Sequence, residues 1–468
     1  GDILSAGDYQ WGQVRSQDMM ITLQWLYEHY PGNQSQMLLD NMNFLHEKGL
    51  NWEDWYNKAA YFGQRMNEDL NSLKAVAVVR RFTHNDSLIQ TAMDGVNWTM
   101  TYHGASSGTI LADERLVGLA PYSGSELCTS VETMYSLSYL YGALGTNYYA
   151  DRAELAAFNS LPAMLTPDWW GRQYMEEPNQ PYAQNLSETP FYNTNSWGQT
   201  FGLEPNYPCF GDNALAHALL SPGTAKTILS GGNVTVSCTT GYPFLHTLSY
   251  IVTADAPMDF YVRVPAWAGS NSSVTVKFNA STPISPDPET GLHKVSLPEG
   301  TSNMSYTLSS IVRTEAREND TVAVYKGALL YALDVTNTNT STLPKPYNDP
   351  STFYNESYAP PQSMDWEYHN TSAWSYAIDP STLGYHEPND TSSYYTLANP
   401  IFAPGAPPGY ITARACEIDW PLFLGSVPGY PPTGDAKKCL GDVKEVKLVP
   451  YASAKTHMAE LPVIDLSS

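Results

Sequence analysis

Apolar residues recur every three to four positions through the first 220 residues or so, and the period falls to two beyond about residue 225. Met19, Leu23, Leu26 and Tyr27 keep helical spacing, Leu38, Met42 and Leu45 repeat it, and Val131, Met134, Leu137, Leu140 and Leu144 form a third, very regular stripe. Leu155, Phe158 and Leu161 extend the pattern, with Asp151 placed in the first turn of that helix. About seven helices are expected, in consecutive pairs joined by long loops, which suits a helical barrel or toroid with its site in the central cavity.

The later segment alternates instead. Val234 and Val236 share one face of a strand within Asn233 to Ser237; Phe260, Val262 and Val264, then Val274, Val276 and Phe278, repeat the pattern. Val322, Val324 and Leu329 to Leu333 continue it, so an all-β module, a sandwich, is expected. Residues 337–433 hold fifteen of the 34 prolines, which predicts long surface loops with short strands before Val443 to Leu448 returns to strand character. The expected fold class is therefore multidomain α+β: a helical unit over 1–222, a β-sandwich over 223–336, and Pro-rich loops with C-terminal β-structure completing a second β module over 337–468.

Charge narrows the partners. A formal net charge of -23 and a pI near 4.7 argue against nucleic acid or an anionic membrane surface, both of which require a basic face. No run of apolar residues is long enough to span a bilayer, and none resembles a targeting segment. Thirteen Asn-x-Ser/Thr sequons, at Asn33, Asn85, Asn97, Asn185, Asn233, Asn271, Asn279, Asn303, Asn319, Asn339, Asn355, Asn370 and Asn389, predict a secreted eukaryotic protein with N-linked glycans. Twelve Trp and 33 Tyr in an acidic secreted chain suit stacking on sugar rings, although a core or sheet role accounts for most aromatics. Five cysteines leave at least one outside ordinary pairing; Cys416 and Cys439 are the expected disulfide, and Cys238, near Val234 and Val236, is expected to be a buried apolar residue.

The chemistry concentrates in two stretches, His-Gly-Ala-Ser-Ser-Gly-Thr-Ile-Leu-Ala-Asp-Glu-Arg-Leu-Val-Gly from His103 and Pro-Tyr-Ser-Gly-Ser-Glu-Leu-Cys-Thr-Ser-Val-Glu-Thr-Met from Pro121. A small-residue loop delivers His103, Asp113, Glu114, Glu126 and Cys128 into an apolar helix, and charges that precede an internally packed helix point to a site. These stretches resemble the hallmark of the glycoside hydrolase family 127 superfamily, typified by β-L-arabinofuranosidase. Asp151-Arg152-Ala153-Glu154 with Phe158-Asn159-Ser160-Leu161-Pro162-Ala163, Gln173-Tyr174, Asn179-Gln180 and Phe201-Gly202-Leu203-Glu204-Pro205-Asn206-Tyr207-Pro208-Cys209 resemble later family segments. So do Arg263-Val264-Pro265-Ala266-Trp267-Ala268, Tyr325-Lys326-Gly327-Ala328-Leu329 and Leu448-Val449-Pro450-Tyr451, which extends the resemblance over nearly the whole chain.

The resemblance implies an (α/α)6-type barrel followed by β-sandwich domains, and a zinc ion held by one glutamate and three cysteines. It makes Glu126 and Cys128 the first pair of ligands, Cys209 the nucleophilic ligand and Glu114 the acid/base; His84, in Thr-His-Asn-Asp-Ser, falls at a sugar-contacting position. His103, Tyr174, Gln180 and Trp170 are the further substrate-binding candidates, Trp170 for stacking or for packing. Two departures matter. Phe210 stands where the family has the second cysteine of a Cys-Cys pair, so the metal keeps only Glu126, Cys128 and Cys209, the site is empty, or Cys128 and Cys209 form a disulfide, which leaves carboxylates such as Glu114 and Glu126 as the catalytic groups. The chain also supplies fewer helices than the barrel needs, so a separate N-terminal fragment is expected to complete it. The function implied is exo-acting hydrolysis of plant or microbial glycans. A uronate-directed polysaccharide lyase and a noncatalytic sugar-binding glycoprotein are the alternatives.

Overall fold

The computed structural model describes residues 12, 14–56, 73–112, 118–119, 123–173, 175–183, 213–277, 281–343, 364–388, 397–403, 407–423 and 427–466. Helices come first: α1 (Ser16–His29), α2 (Ser35–Lys48), α3 (Trp52–Tyr56), α4 (Ala75–Thr83), α5 (Leu88–His103), α6 (Leu127–Leu144), α7 (Asn147–Leu155) and the short α8 (Leu161–Ala163). Between α7 and α8, Ala156–Ser160 form one π-helical turn, a device that commonly marks a functional region. None of the described helices is long and apolar enough to cross a membrane.

The apolar stripe of α6 behaves as its spacing predicts, with Leu137 and Leu140 fully buried. That of α1 does not. Met19 is 54% exposed and Tyr27 39% exposed, whereas Ser16, Gln17, Met20 and Gln24 face inward. Electrostatics helps to select that face: Lys74, wholly buried, reaches Asp18 of α1 at 3.0 Å and Glu132 of α6 at 3.1 Å. A buried ammonium needs anions close by, and α1 supplies one of them in Asp18, a partly exposed residue next to the buried Gln17. The helix holding Leu155 begins four residues before Asp151, so Asp151 sits in its second turn.

The strands follow in chain order. β1 (Ser125–Glu126), β2 (Met175–Glu176) and β3 (Asn179–Gln180) lie within the helical part; β4 (Ala214–His217), β5 (Gly223–Leu229), β6 (Gly232–Thr240), β7 (Thr247–Ala254), β8 (Met258–Arg263), β9 (Ser273–Val276), β10 (Thr282–Pro283), β11 (Leu292–Leu297) and β12 (Gly300–Thr307) come next. A six-stranded sheet in the order β10-β9-β12-β7-β6-β5 and a three-stranded sheet β11-β8-β4 share one apolar core, which includes Val234, Val236, Tyr250, Phe260, Val262 and Tyr306. Cys238 lies in that core, and burial pushes its thiol up to about 12.

The last part adds β13 (Val312–Arg317), β14 (Thr321–Lys326), β15 (Leu329–Asp334), β16 (Asn337–Thr342), β17 (Asp365–Asn370), β18 (Tyr376–His386), β19 (Tyr410–Glu417), β20 (Leu422–Phe423), β21 (Val427–Pro428), β22 (Lys444–Pro450), β23 (His457–Met458) and β24 (Leu461–Pro462). A nine-stranded sheet runs β13-β14-β15-β22-β19-β18 and takes in β23, β24 and β3. Strand pairing thus crosses the expected divisions at 222 and 336: β4 pairs in parallel with β8, and β13 to β15 join strands beyond residue 376. The described residues of the Pro-rich segment are also more regular than its composition predicts. β18 spans eleven residues and tolerates Pro380 because its register against β19 shifts between Asp379 and Gly384. Cys416 and Cys439 form the expected disulfide.

A buried polar cluster locks the helices to the sheets. The Arg263 guanidinium on β8 bonds Asp151 and lies 2.6 Å from Glu154 Oε2, both on α7. The Glu154 carboxylate also accepts from Tyr242 Oη at 2.6 Å and from the Leu220 backbone N–H at 2.9 Å. Asn159, in the π-helical turn, donates to Ala328 O and accepts from the Leu330 N–H, which ties the turn to β15.

Candidate functional site

The end of α5, the loop after it, β1 and the start of α6 build one small unit. His103 closes α5 and is 3% exposed; its Nδ1 accepts from the Gly118 N–H at 2.9 Å, and its carbonyl accepts from the Leu111 N–H at 2.7 Å. Ala112 donates to Gly124 O, and Glu126 donates to Ala112 O at 3.0 Å, so two segments separated by the loop are pinned side by side. Ser125 secures the same join through its hydroxyl, 2.6 Å from Ile110 O.

Glu126 is the extended residue that opens α6, and Cys128 follows in the first turn. The Cys128 Sγ donates to Glu126 Oε2 at 2.9 Å. Cys128 is exposed although its neighbours Leu127 and Thr129 are buried, and Glu126 is 6% exposed. Anionic groups at a helix N-terminus are favoured by the backbone dipoles, so this is a suitable place for a carboxylate and a sulfur donor. One hard and one soft donor side by side fit zinc as a pair of ligands. Among the described residues no group of three or more such donors occurs. Glu114, Tyr174, Cys209 and Phe210 lie outside the described residues.

The remaining sequence candidates occupy different settings. His84 is exposed in the left-handed conformation, φ 57°, at the C-terminal end of α4. Trp170 is 47% exposed in a turn organised by Asp168, whose Oδ1 accepts the Trp170 N–H at 3.2 Å. Gln180 is buried, and its side-chain amide exchanges two hydrogen bonds with Gln173, at 2.8 and 3.0 Å, and donates to Lys455 O. Gln180 therefore serves the β3–β23 join with its polar atoms.

Sequence reasoning passed over a second carboxylate group directly behind β1. Ser125 and Glu176 are cross-strand partners, as are Glu126 and Met175, so Glu176 lies on the opposite face of the ribbon from Glu126. Glu176 is 1% exposed, accepts a long hydrogen bond of 3.4 Å from Ser160, and its Oε1 has no hydrogen-bond partner among the described residues. Burial, with the neighbouring Glu177 charge, holds its carboxyl well above the usual range; burial raises Glu177 to about 7. Burial also lowers Lys455 to about 7, and its ammonium is held by the carbonyls of Pro162, Ala163 and Leu165 at the end of α8. The one available signal was Met175-Glu176-Glu177-Pro178, two acids in a short segment between an apolar residue and a proline.

Helices come first in this chain and sheets follow and pack back on them, and solved structures of glycoside hydrolase family 127 enzymes share that fold. The chain has that fold. It superimposes with a TM-score of 0.62 on a family 127 β-L-arabinofuranosidase from Geobacillus stearothermophilus T6, at 14% identity over 95% of this chain and 72% of the other. A second family 127 β-arabinofuranosidase gives the same TM-score and identity over 95% and 68%. A further solved structure, described as a glycoside hydrolase, gives 0.63 at 12% identity over 96% and 75%. No protein-family model and no curated protein matches the chain in sequence.

Proposed function

We propose that this protein is a secreted glycoside hydrolase of the β-L-arabinofuranosidase type, acting at the non-reducing ends of plant or microbial glycans. The observation that carries the reading is the Glu126–Cys128 pair at the start of α6, on a fold shared with two such enzymes. In this reading the helices are part of an (α/α)6-type barrel, and the six- and three-stranded sheets are a β-sandwich.

Cys209 is the proposed nucleophile. Its thiolate attacks the anomeric carbon as the bond to the leaving oxygen breaks, and Glu114 gives that oxygen its proton. Glu114 then removes a proton from water, whose oxygen displaces the sulfur and regenerates the thiolate. Glu126, Cys128 and Cys209 would hold zinc, which when bound favours the deprotonated thiols. His84, His103, Tyr174, Gln180 and Trp170 remain the proposed sugar contacts.

Phe210 favours a second reading, a noncatalytic sugar-binding glycoprotein, because it removes a ligand from the family's metal set. Assay of the native protein on aryl β-L-arabinofuranosides and arabinose-capped glycans, with elemental analysis for zinc, separates the readings. Released arabinose supports the hydrolase. An unsaturated product absorbing in the ultraviolet identifies a lyase, and glycan binding with no product identifies the binding protein.

A further inference from the structure

The outer face of the six-stranded sheet is rich in hydroxyl groups, with Lys226 on β5 its one charged side chain among β5, β6, β7 and β12. Thr235 and Ser237 on β6, Ser249 and Thr253 on β7, and Thr301 and Ser305 on β12 alternate with buried Val234, Val236, Tyr250, Val252 and Met304. Two large aliphatic side chains interrupt it: Ile228 is 77% exposed and Ile251 54% exposed. Each stands directly across a strand pair from a sequon asparagine, Ile228 from Asn233 and Ile251 from Asn303. Cross-strand partners share a face and lie within side-chain contact distance. Both asparagines are exposed, and the hydroxyl residue of each sequon, Thr235 or Ser305, follows two positions later on the same face.

We propose that Asn233 and Asn303 carry N-linked glycans whose first sugars cover Ile228 and Ile251, closing the sheet face to self-association. The inference rests on the secretory location proposed above. The donor is an oligosaccharide linked through pyrophosphate to a polyprenyl lipid. The asparagine Nδ2 forms a bond to the anomeric carbon of the first sugar as the carbon–oxygen bond to pyrophosphate breaks; Nδ2 loses one proton and the lipid pyrophosphate leaves. One N–H remains on each side chain. At Asn233 that suffices for the bond to Asp255 Oδ2, now 2.7 Å, while the backbone N–H keeps its own at 2.9 Å. The apolar C–H face of the sugar then lies over the isoleucine, which otherwise leaves aliphatic surface in water on the sheet face.

Peptide mapping of the native protein after enzymatic deglycosylation in ¹⁸O-water marks each formerly modified asparagine as labelled aspartate. Label at both Asn233 and Asn303 is expected. Label at the exposed sequons Asn33 or Asn271 with Asn233 and Asn303 bare overturns the inference and leaves the secretory reading standing; no label at any sequon overturns both. Sedimentation then tests the covering role. The N233Q/N303Q variant, secreted from a eukaryotic host, is expected to shift from monomer to larger species, and adding I228T/I251T is expected to restore the monomer. An N33Q/N271Q control should remain monomeric. A monomeric N233Q/N303Q protein overturns the covering role.

Discussion

Cys128 Sγ lies 2.9 Å from Glu126 Oε2, a thiol and a carboxylate fixed together at the N-terminus of α6. If the two share a metal, losing either donor removes a ligand. Cys128→Ala is expected to lower bound zinc and to reduce kcat/KM by about 100-fold or more, with little change in melting temperature, because the side chain is exposed. Elemental analysis and kinetics on an aryl arabinofuranoside check this. Unchanged zinc and rate would remove Cys128 from the site.

Arg263 is completely buried between Asp151 and Glu154 and also donates to Ala218 O. Replacing it with methionine leaves two carboxylates in the interior without their cation. A loss of about 3 to 5 kcal/mol is expected, as for other buried ion pairs broken on one side. Denaturant unfolding measures it, and the double variant Asp151→Asn with Arg263→Met should lose less than the sum of the singles.

His217 is buried beside Arg263 and bonds the Tyr250 hydroxyl at 2.7 Å. Burial first, then the guanidinium charge, lowers it from 6.5 to about 3. The unfolded chain therefore binds a proton on this residue between those values and the folded chain does not. Its contribution is fully present above pH 6.5 and is lost as pH falls towards 3. His217→Gln should flatten the acid side of the stability profile in that window; an unaltered slope would contradict the assignment.

Glu177 acts in the opposite sense. Burial raises it from 4.5 to about 7, so the folded protein holds a proton there that the unfolded chain has released. Stability from this group is fully present below pH 4.5 and is lost as pH rises through 7. Glu177→Gln should reduce the decline between pH 4.5 and 7, read from melting temperatures across that range.

The sequence by itself located the helical and β-rich parts, the inward residues of α6, β6 and β8, the Cys416–Cys439 bridge and the Glu126-Leu127-Cys128 motif, because each follows from local period or residue chemistry. Tertiary structure decided the rest. Met19 and Tyr27 have the spacing of core residues, yet α1 turns Ser16, Gln17, Met20 and Gln24 inward, with Asp18 reaching the buried Lys74, and leaves those two outside. Glu176 came behind the site only through its pairing with Ser125, fifty-one residues earlier in the chain. Likewise, no local pattern announces that Ile228 and Ile251 face sequon asparagines, since register between strands is set by which faces the whole sheet must bury. Local periodicity records what one segment can form. Which of its faces meets which partner is a property of the assembled core.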